Sequence, residues 1–321
     1  MKLRLKAQLL RVRWRMAQMM RRPVKSWLYK VTRPSSPPYV TGDGFRRMAN
    51  HIYDESRQVN FHSRVEDGDL IFVATHFVPR FLAQVDPKIR ASYRLITHNS
   101  DSPVDEELIA RSSRKVLVWF AQNNIFQHET VVPIPIGLEN LHYYNAGIPN
   151  MYTKMRGAGR NPRNRILAGF TIGTNARERQ RIHELALRAP SVEVLRARLD
   201  QQDYLRTLTT YRFMLSPPGN GLDTHRTWEA MYLGVIPIVK DSVAMRAFEQ
   251  LGLPIWILQR WDDILAFDAH TLEAKYEDLQ KRFCAPALFM DYWQEVIRGK
   301  RWLSPERTDE TAVEYAGRRV V

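Results

Sequence analysis

The chain has 321 residues, more than one ordinary domain, and its 44% hydrophobic, 26% charged and 11% aromatic residues are enough to build sizeable cores. The single cysteine, Cys284, excludes an internal disulfide and a cysteine-built metal site, and no apolar run approaches the ~20 residues of a membrane-spanning helix. A net charge of +14 points to nucleic acid until it is located: residues 1–33 hold eleven Lys or Arg and no acid, leaving 37 basic against 34 acidic residues elsewhere.

The charge therefore belongs to a tail, here taken as residues 1–40, and nucleic acid is disfavoured as a partner. The tail interleaves Leu5, Leu9, Leu10, Trp14 and Trp27 with its cations. Such mixing suits a helix lying on an anionic membrane surface, where each cation contributes on the order of 1 kcal/mol. A solvated extension is the other reading. The segment lacks the apolar core of a secretory signal, and a lone cysteine fits a reducing compartment. The expected location is cytoplasmic, either free or peripheral on the cytoplasmic face of a membrane.

After the proline-rich break at 32–44, a first unit (41–145) alternates short apolar runs with helix-length segments. Runs at 70–75, 93–97, 115–123 and 131–137 read as strands, and 78–92 and 103–113 as helices. Residues 146–165 lose periodicity and fill with Gly, Pro, Asn and Arg, the pattern of a linker. A second unit (166–300) repeats the alternation, with strands near 165–171, 191–197, 212–215, 235–240 and 254–259, and a helical end from about 261. Residues 301–321 form a C-terminal tail. Buried strands alternating with helices predict an α/β chain of two tandem Rossmann-like, doubly wound domains with a cleft between them.

In such sheets ligands sit where strands end and helices begin. "RFMLSPPGNGLDTHRTWEAMYLGVIPIV" (212–239) makes this crossing. Pro217 and Pro218 stop the strand, Gly219 and Gly221 clear the turn, and Asp223 or Thr224 caps the next helix. The helix start favours an anion such as a diphosphate. Arg226 and Glu229 share one helical face: the guanidinium suits phosphate oxygens and a charged leaving group, and the carboxylate suits both hydroxyls of a ribose. The alternative is that the two simply pair. Trp228 and Met231 read as core. In the loop after the second unit's first strand, Gly173 permits close approach, Thr174 or Asn175 caps, and Arg177 reaches a phosphate; otherwise Arg177 and Arg179 are solvated helix charges.

This segment resembles the donor site of exostosin-like glycosyltransferases, an F-x-L-x-P-x-G strand and loop followed by R-x-x-E-A and a G-x-I-P strand, with Arg226, Glu229, Ala230, Gly234, Ile236 and Pro237 in the matching positions. "DLIFV", "LITHNSD" and "WFAQN…PIPIG" resemble a bacterial-type branch of the same superfamily, so the likeness covers about residues 65–265. It implies a GT-B fold, a nucleoside diphosphate sugar held mainly by the second domain, a glycan or lipid-linked glycan acceptor held mainly by the first, and an inverting, metal-independent transfer of the kind used in polysaccharide biosynthesis. The chain departs from the family's Golgi members in showing no N-terminal membrane-spanning anchor.

An inverting transfer needs a base beside the acceptor hydroxyl. "THNSD" (97–101) follows a strand, so His98, Asn99 and Asp101 are candidates, with Asp101 preferred as base and His98 as a sugar-binding donor, unless the segment is only a turn. His76 and Glu139 are further acceptor-side candidates. Asp67-Gly68-Asp69 matches a metal-binding D-x-D pattern but precedes its strand, and reads as a turn. His76, His98 and Asp101 lack metal-ligand spacing. No cofactor beyond the sugar nucleotide is expected. The competing reading is a non-catalytic glycan- or nucleotide-binding protein on the same fold.

Overall fold

The computed structural model describes residues 31–58, 61–143, 146–156, 160–197 and 199–300. The basic segment up to residue 30 and the C-terminal tail lie outside the described residues. Arg33, the last cation counted with the basic tail, belongs to the folded body: its guanidinium lies 3.6 Å from the Asp43 carboxylate.

The first unit runs α1 (Gly42–Arg46), β1 (His51–Tyr53), β2 (Leu70–Ala74), α2 (Val78–Gln84), β3 (Tyr93–His98), α3 (Glu106–Ala110), β4 (Val116–Ala121) and β5 (Val131–Pro133). Its five strands are parallel and stand in sequence order. Alternation along each strand serves two cores. Ile71, Val73, Leu95 and Trp119 face one side, while Leu70, Phe72, Ile96 and Phe120 face the other. That is why the runs read as continuously apolar. The "VVPIPIG" run pairs only over 131–133, because Pro133 and Pro135 bring no N–H to a ladder. Three-residue β1 gave no signal of its own.

The second unit contains β6 (Arg163–Ala168), α5 (Ala176–Arg188), β7 (Val192–Val194), α6 (Gln201–Leu208), β8 (Tyr211–Leu215), α7 (His225–Tyr232), β9 (Ile236–Lys240), α8 (Val243–Gln250), β10 (Trp256–Leu258) and α9 (Ala269–Leu279). To keep labels in chain order, the helix Pro149–Arg156 that joins the units is called the connecting helix, and Met290–Ile297 is α10. Side-chain caps start five of the described helices: Thr41 on α1, Asp105 on α3, Asp200 on α6, Ser242 on α8 and Asp268 on α9. The strand order is β10-β9-β8-β6-β7, all parallel, so the winding reverses between β6 and β8. The loops leaving these two strands therefore diverge and open a crevice at their carboxyl ends. Two Rossmann-like sheets flanking a cleft are the GT-B arrangement.

Two segments make contacts that the sequence reading did not anticipate. The expected linker carries the connecting helix, whose Tyr152 is wholly buried in the core shared by both units. Residues 286–297 return to the first unit: Met290 N–H donates to Pro38 O at 2.9 Å, Arg94 Nη1 to Ile297 O at 2.7 Å, and Trp293 packs edge-on against Phe45. Neither contact leaves a periodic signature, because both depend on what faces the helix rather than on its own pattern. Among the described residues no helix is long and apolar enough to cross a membrane.

Candidate functional site

A cleft of about 920 Å³ occupies the crevice after β6 and β8, closed on one side by the first unit. Its second-unit wall is built by the loop after β6 with Arg179 of α5, the stretch from the β7 loop into α6, the loop after β8 and the start of α7. The β8 loop is tied down at both ends. Ser216 N–H donates to Ile238 O at 2.8 Å, and Gly219 N–H donates to Gly221 O at 2.9 Å.

Arg179, on the first turn of α5, locks the two loops together. It is 3% exposed, and it donates from Nε to Pro218 O (2.8 Å), from Nη2 to Pro217 O (3.1 Å), and from Nη1 to Thr171 O (2.7 Å) and Thr174 Oγ1 (2.5 Å). A Cβ on Gly219 would stand 3.0 Å from Nη2, so the glycine lets the guanidinium reach the loop. Burial, then the neighbouring charge of Arg226, lowers the Arg179 pKa to about 10, which leaves it protonated at neutral pH.

Arg226 donates from Nε to Tyr204 Oη at 3.2 Å. Glu229, 6% exposed, accepts at Oε1 from Tyr152 Oη (2.9 Å) and Gln201 Nε2 (3.0 Å). Arg226 and Glu229 do not pair with each other; each is turned to a different partner, and both line the cleft. Oε2 of Glu229 and both Nη groups of Arg226 make no hydrogen bond among the described residues. Trp228 and Met231, on other faces of α7, are core as expected.

Asp223 serves neither as cap nor as cleft charge. Thr224 is the N-cap residue of α7, although its side chain bonds Ser216 Oγ (3.1 Å) and Thr227 Oγ1 (3.3 Å) rather than a helix backbone N–H. Asp223, 2% exposed, accepts at Oδ2 from Ile136 N–H (2.7 Å) of the first unit and from Trp228 Nε1 (3.0 Å). Its own N–H donates to Asn123 Oδ1 at 3.1 Å. Asn123 stands in the left-handed region after β4 and lies so close to Gly221 that a Cβ there would sit 2.4 Å from Nδ2. The two units are thus stitched together across the cleft floor.

Burial pushes the Asp223 carboxyl from its ordinary 3.8 up to about 7, against the pull of the N–H groups that donate to it. The folded form then holds this proton more tightly than the unfolded chain between those values, so Asp223's contribution to stability falls as pH rises from about 4 to about 7. Asp223→Asn has no such titration. The unfolding free energy of the wild type minus that of the variant is expected to fall across this window, by up to ~1.4 kcal/mol per pH unit, and to be flat above it. Denaturant melts at pH 5, 6, 7 and 8 read this directly. A difference independent of pH overturns the assignment.

Several expected residues lie elsewhere. Gly173 is exposed with open space around it, and Arg177 points to solvent. Two positions on from Arg177, the opposite side of α5 faces inward, which is why Arg179 and not Arg177 lines the cleft. Asn175 caps nothing and reaches Pro218 O only at 3.5 Å. His76 sits on the surface beside Glu55 (3.3 Å), and Glu139 accepts the Ala146 N–H at 2.8 Å; neither lines the cleft.

His98 is corrected outright. It is 2% exposed, with Nε2 donating to Pro135 O at 3.0 Å and Nδ1 accepting the Asn99 N–H at 2.7 Å. Burial depresses its pKa to about 4. Both nitrogens are used, so the ring neither takes a proton from a bound hydroxyl nor donates to a sugar. Asn99, at φ 58°, turns into a polar cluster in which its Oδ1 accepts from Asn140 Nδ2 at 2.9 Å. Asp101, the last residue of the segment, does reach the cleft and is exposed there. The carboxylates of the Asp67-Gly68-Asp69 turn are tied to the surrounding fold: Asp67 accepts Ser92 N–H (2.7 Å), and Asp69 accepts Glu66 N–H (3.0 Å) and pairs with His51 Nε2 (2.8 Å).

Sequence reading missed Asn123, Tyr152, Arg179, Gln201, Tyr204 and His225. His225 lay inside the quoted motif, one position before Arg226. Tyr152 and Gln201 had no signal, since they meet Glu229 only through the fold.

No protein-family model and no curated protein matches the chain. Among solved structures it is similar to an α,α-trehalose-6-phosphate synthase from Burkholderia multivorans, with 10% identity over 74% of this chain and 72% of that one and a TM-score of 0.40. It is similar to OtsA without ligand at 11% identity, over 76% and 75% of the chains, with a TM-score of 0.46. The pneumococcal O-GlcNAc transferase GtfA, solved with UDP and GlcNAc, shares 14% identity over 74% of this chain and 55% of its own, with a TM-score of 0.32. Likenesses this distant assign no residue a role.

Proposed function

We propose that this chain is a glycosyltransferase of exostosin-like type, which moves a sugar from a nucleoside diphosphate donor to a glycan or lipid-linked glycan acceptor, with inversion and without a metal. The observation that carries the reading is the charge arrangement at the β6/β8 reversal. Arg179 bonds only carbonyl and hydroxyl oxygens, and Arg226 only a phenol. Arg226 stands close enough to lower the Arg179 pKa, so two cations, neither hydrogen-bonded to a carboxylate, flank a helix start. Like charges are held together at a cost unless an anion joins them, and a diphosphate is a two-charge anion that both can reach. One turn along α7, Glu229 keeps one oxygen for a sugar hydroxyl. As the sugar–phosphate bond breaks, the same cations hold the charge that grows on the departing diphosphate.

The reading is tested by thermal shift and calorimetry with UDP, GDP, CDP and dTDP in metal-free buffer. At least one is expected to bind the wild type, and Arg226→Ala is expected to bind it about 10–100-fold more weakly, the loss of a charge-assisted contact worth ~1.5–3 kcal/mol. A wild type that binds none of them overturns the proposal. Binding without turnover of any sugar nucleotide favours the rival, a non-catalytic binder on the same scaffold.

A further inference from the structure

Resting on the proposed transfer, we infer that His225 is its general base, the group that takes the acceptor hydroxyl's proton. Three observations converge. His225 lines the same cleft as Arg226, from the first turn of α7. Its Nδ1 lies 2.8 Å from Gly137 O in the first unit. A carbonyl only accepts, so Nδ1 carries the hydrogen and the neutral ring has its lone pair on Nε2. Nε2 makes no hydrogen bond among the described residues.

The carbonyl that sets this tautomer is itself rigid. Gly137 is left-handed (φ 68°), and a Cβ there would stand 2.1 Å from Val40 O, so its backbone is pressed onto the Val40 segment. Leu138 N–H donates to the same Val40 O at 2.8 Å. One residue earlier, Ile136 N–H is held by Asp223, two residues before His225. The orienting group and the imidazole are thus fixed to each other from both sides, the relation a general base has to the partner that aligns it.

The other candidates compare poorly. His98 has no lone pair to offer, as shown above. Asp101 lines the same cleft, but it is exposed, and its carboxylate has no hydrogen bond among the described residues to aim it. An imidazole at the seam of the two units stands between an acceptor from the first and a donor held by the second. In the step, the acceptor oxygen forms its bond to the anomeric carbon as its proton passes to Nε2. The bond from that carbon to the diphosphate oxygen breaks with its electron pair, and the nucleoside diphosphate leaves on Arg179 and Arg226.

His225→Asn and His225→Ala, assayed with a panel of UDP-, GDP- and dTDP-sugars and simple mono- and disaccharide acceptors, test this. Asn can still donate to Gly137 O while lacking a base. Nucleoside diphosphate affinity is expected to stay within about threefold of wild type, while kcat falls roughly 10²–10⁴-fold. The acidic limb of the pH–kcat/KM profile is expected to disappear, and added imidazole to restore part of the His225→Ala turnover. Turnover within threefold of wild type with an unchanged pH profile overturns the inference. So does a wild type that binds nucleotide and turns over no sugar. Absence of nucleotide binding by the wild type is a separate readout, and it is the one that removes the proposed function.

Discussion

Glu229→Ala is expected to abolish donor binding, with a loss on the order of 10²-fold or more in affinity for the nucleoside diphosphate that binds the wild type. A carboxylate oxygen accepting from two vicinal hydroxyls makes two charge-assisted hydrogen bonds of ~1.5–3 kcal/mol each. Tyr152 and Gln201 hold Oε1, and Oε2 has no bond among the described residues, so the orientation is set before a ligand arrives. Little ordering cost then remains for binding. Glu229→Gln separates seat from scaffold. Its carbonyl still accepts from Tyr152 and Gln201, but an NH₂ group replaces the second acceptor in the cleft. The Gln variant is expected to melt within a few degrees of wild type and still lose most of its affinity. Calorimetry with both variants decides the matter: unchanged affinity in either removes Glu229 from the seat.

Arg179→Ala is expected to be the most damaging single change to the site's architecture. Its guanidinium is the partner of the Thr171, Pro217 and Pro218 carbonyls, and Pro217 and Pro218 bring no N–H through which their loop could pair instead. Removing it strands acceptors in a buried loop pair, for a loss of about 3–5 kcal/mol and a fall in melting temperature of roughly 5–10 °C. Arg179→Lys keeps the charge but not the fork, and a single ammonium cannot span carbonyls on two loops. It is expected to recover little stability and to bind nucleoside diphosphate at least tenfold more weakly. A melting point within 2 °C of wild type, with affinity unchanged, overturns the lock.

Both predictions turn on residues whose visibility in the sequence differs, and the difference has a physical cause. Glu229 was legible because helix periodicity is local: three residues after Arg226 means the same face, whatever the rest of the chain does. The prolines and glycines at 217–221 were legible for the same reason, since they act on the backbone where they stand. Arg179 was not. On its own helix it is one cation among several, and only the approach of the Pro217–Pro218 carbonyls, almost forty residues on, turns it into a buried clamp.

The strands were readable because burial on both faces writes continuous apolar runs, and the α/β class followed from their alternation with helices. The boundaries at 146–165 and 286–297 were less readable. A helix carries no mark of which unit it covers: the connecting helix brings Tyr152 to a carboxylate 77 positions away, and α10 crosses back to the first sheet.

The histidines state the division most plainly. Sequence alone placed His98 where a strand meets a loop, the kind of place where ligands of parallel sheets bind, and left His225 unremarked inside the motif it quoted. It also determined the proline- and glycine-built loop at 217–221, the shared face of Arg226 and Glu229 and the absence of a cysteine framework. Only the tertiary structure decided which imidazole has a nitrogen to spare. That depends on two backbone carbonyls, Pro135 O and Gly137 O, both delivered by the segment that follows β5. One removes His98 from the cleft and the other aims His225 into it. Protonation state and tautomer are set by what lies within ~3 Å of each nitrogen, and that neighbourhood exists only once two sheets have been packed together.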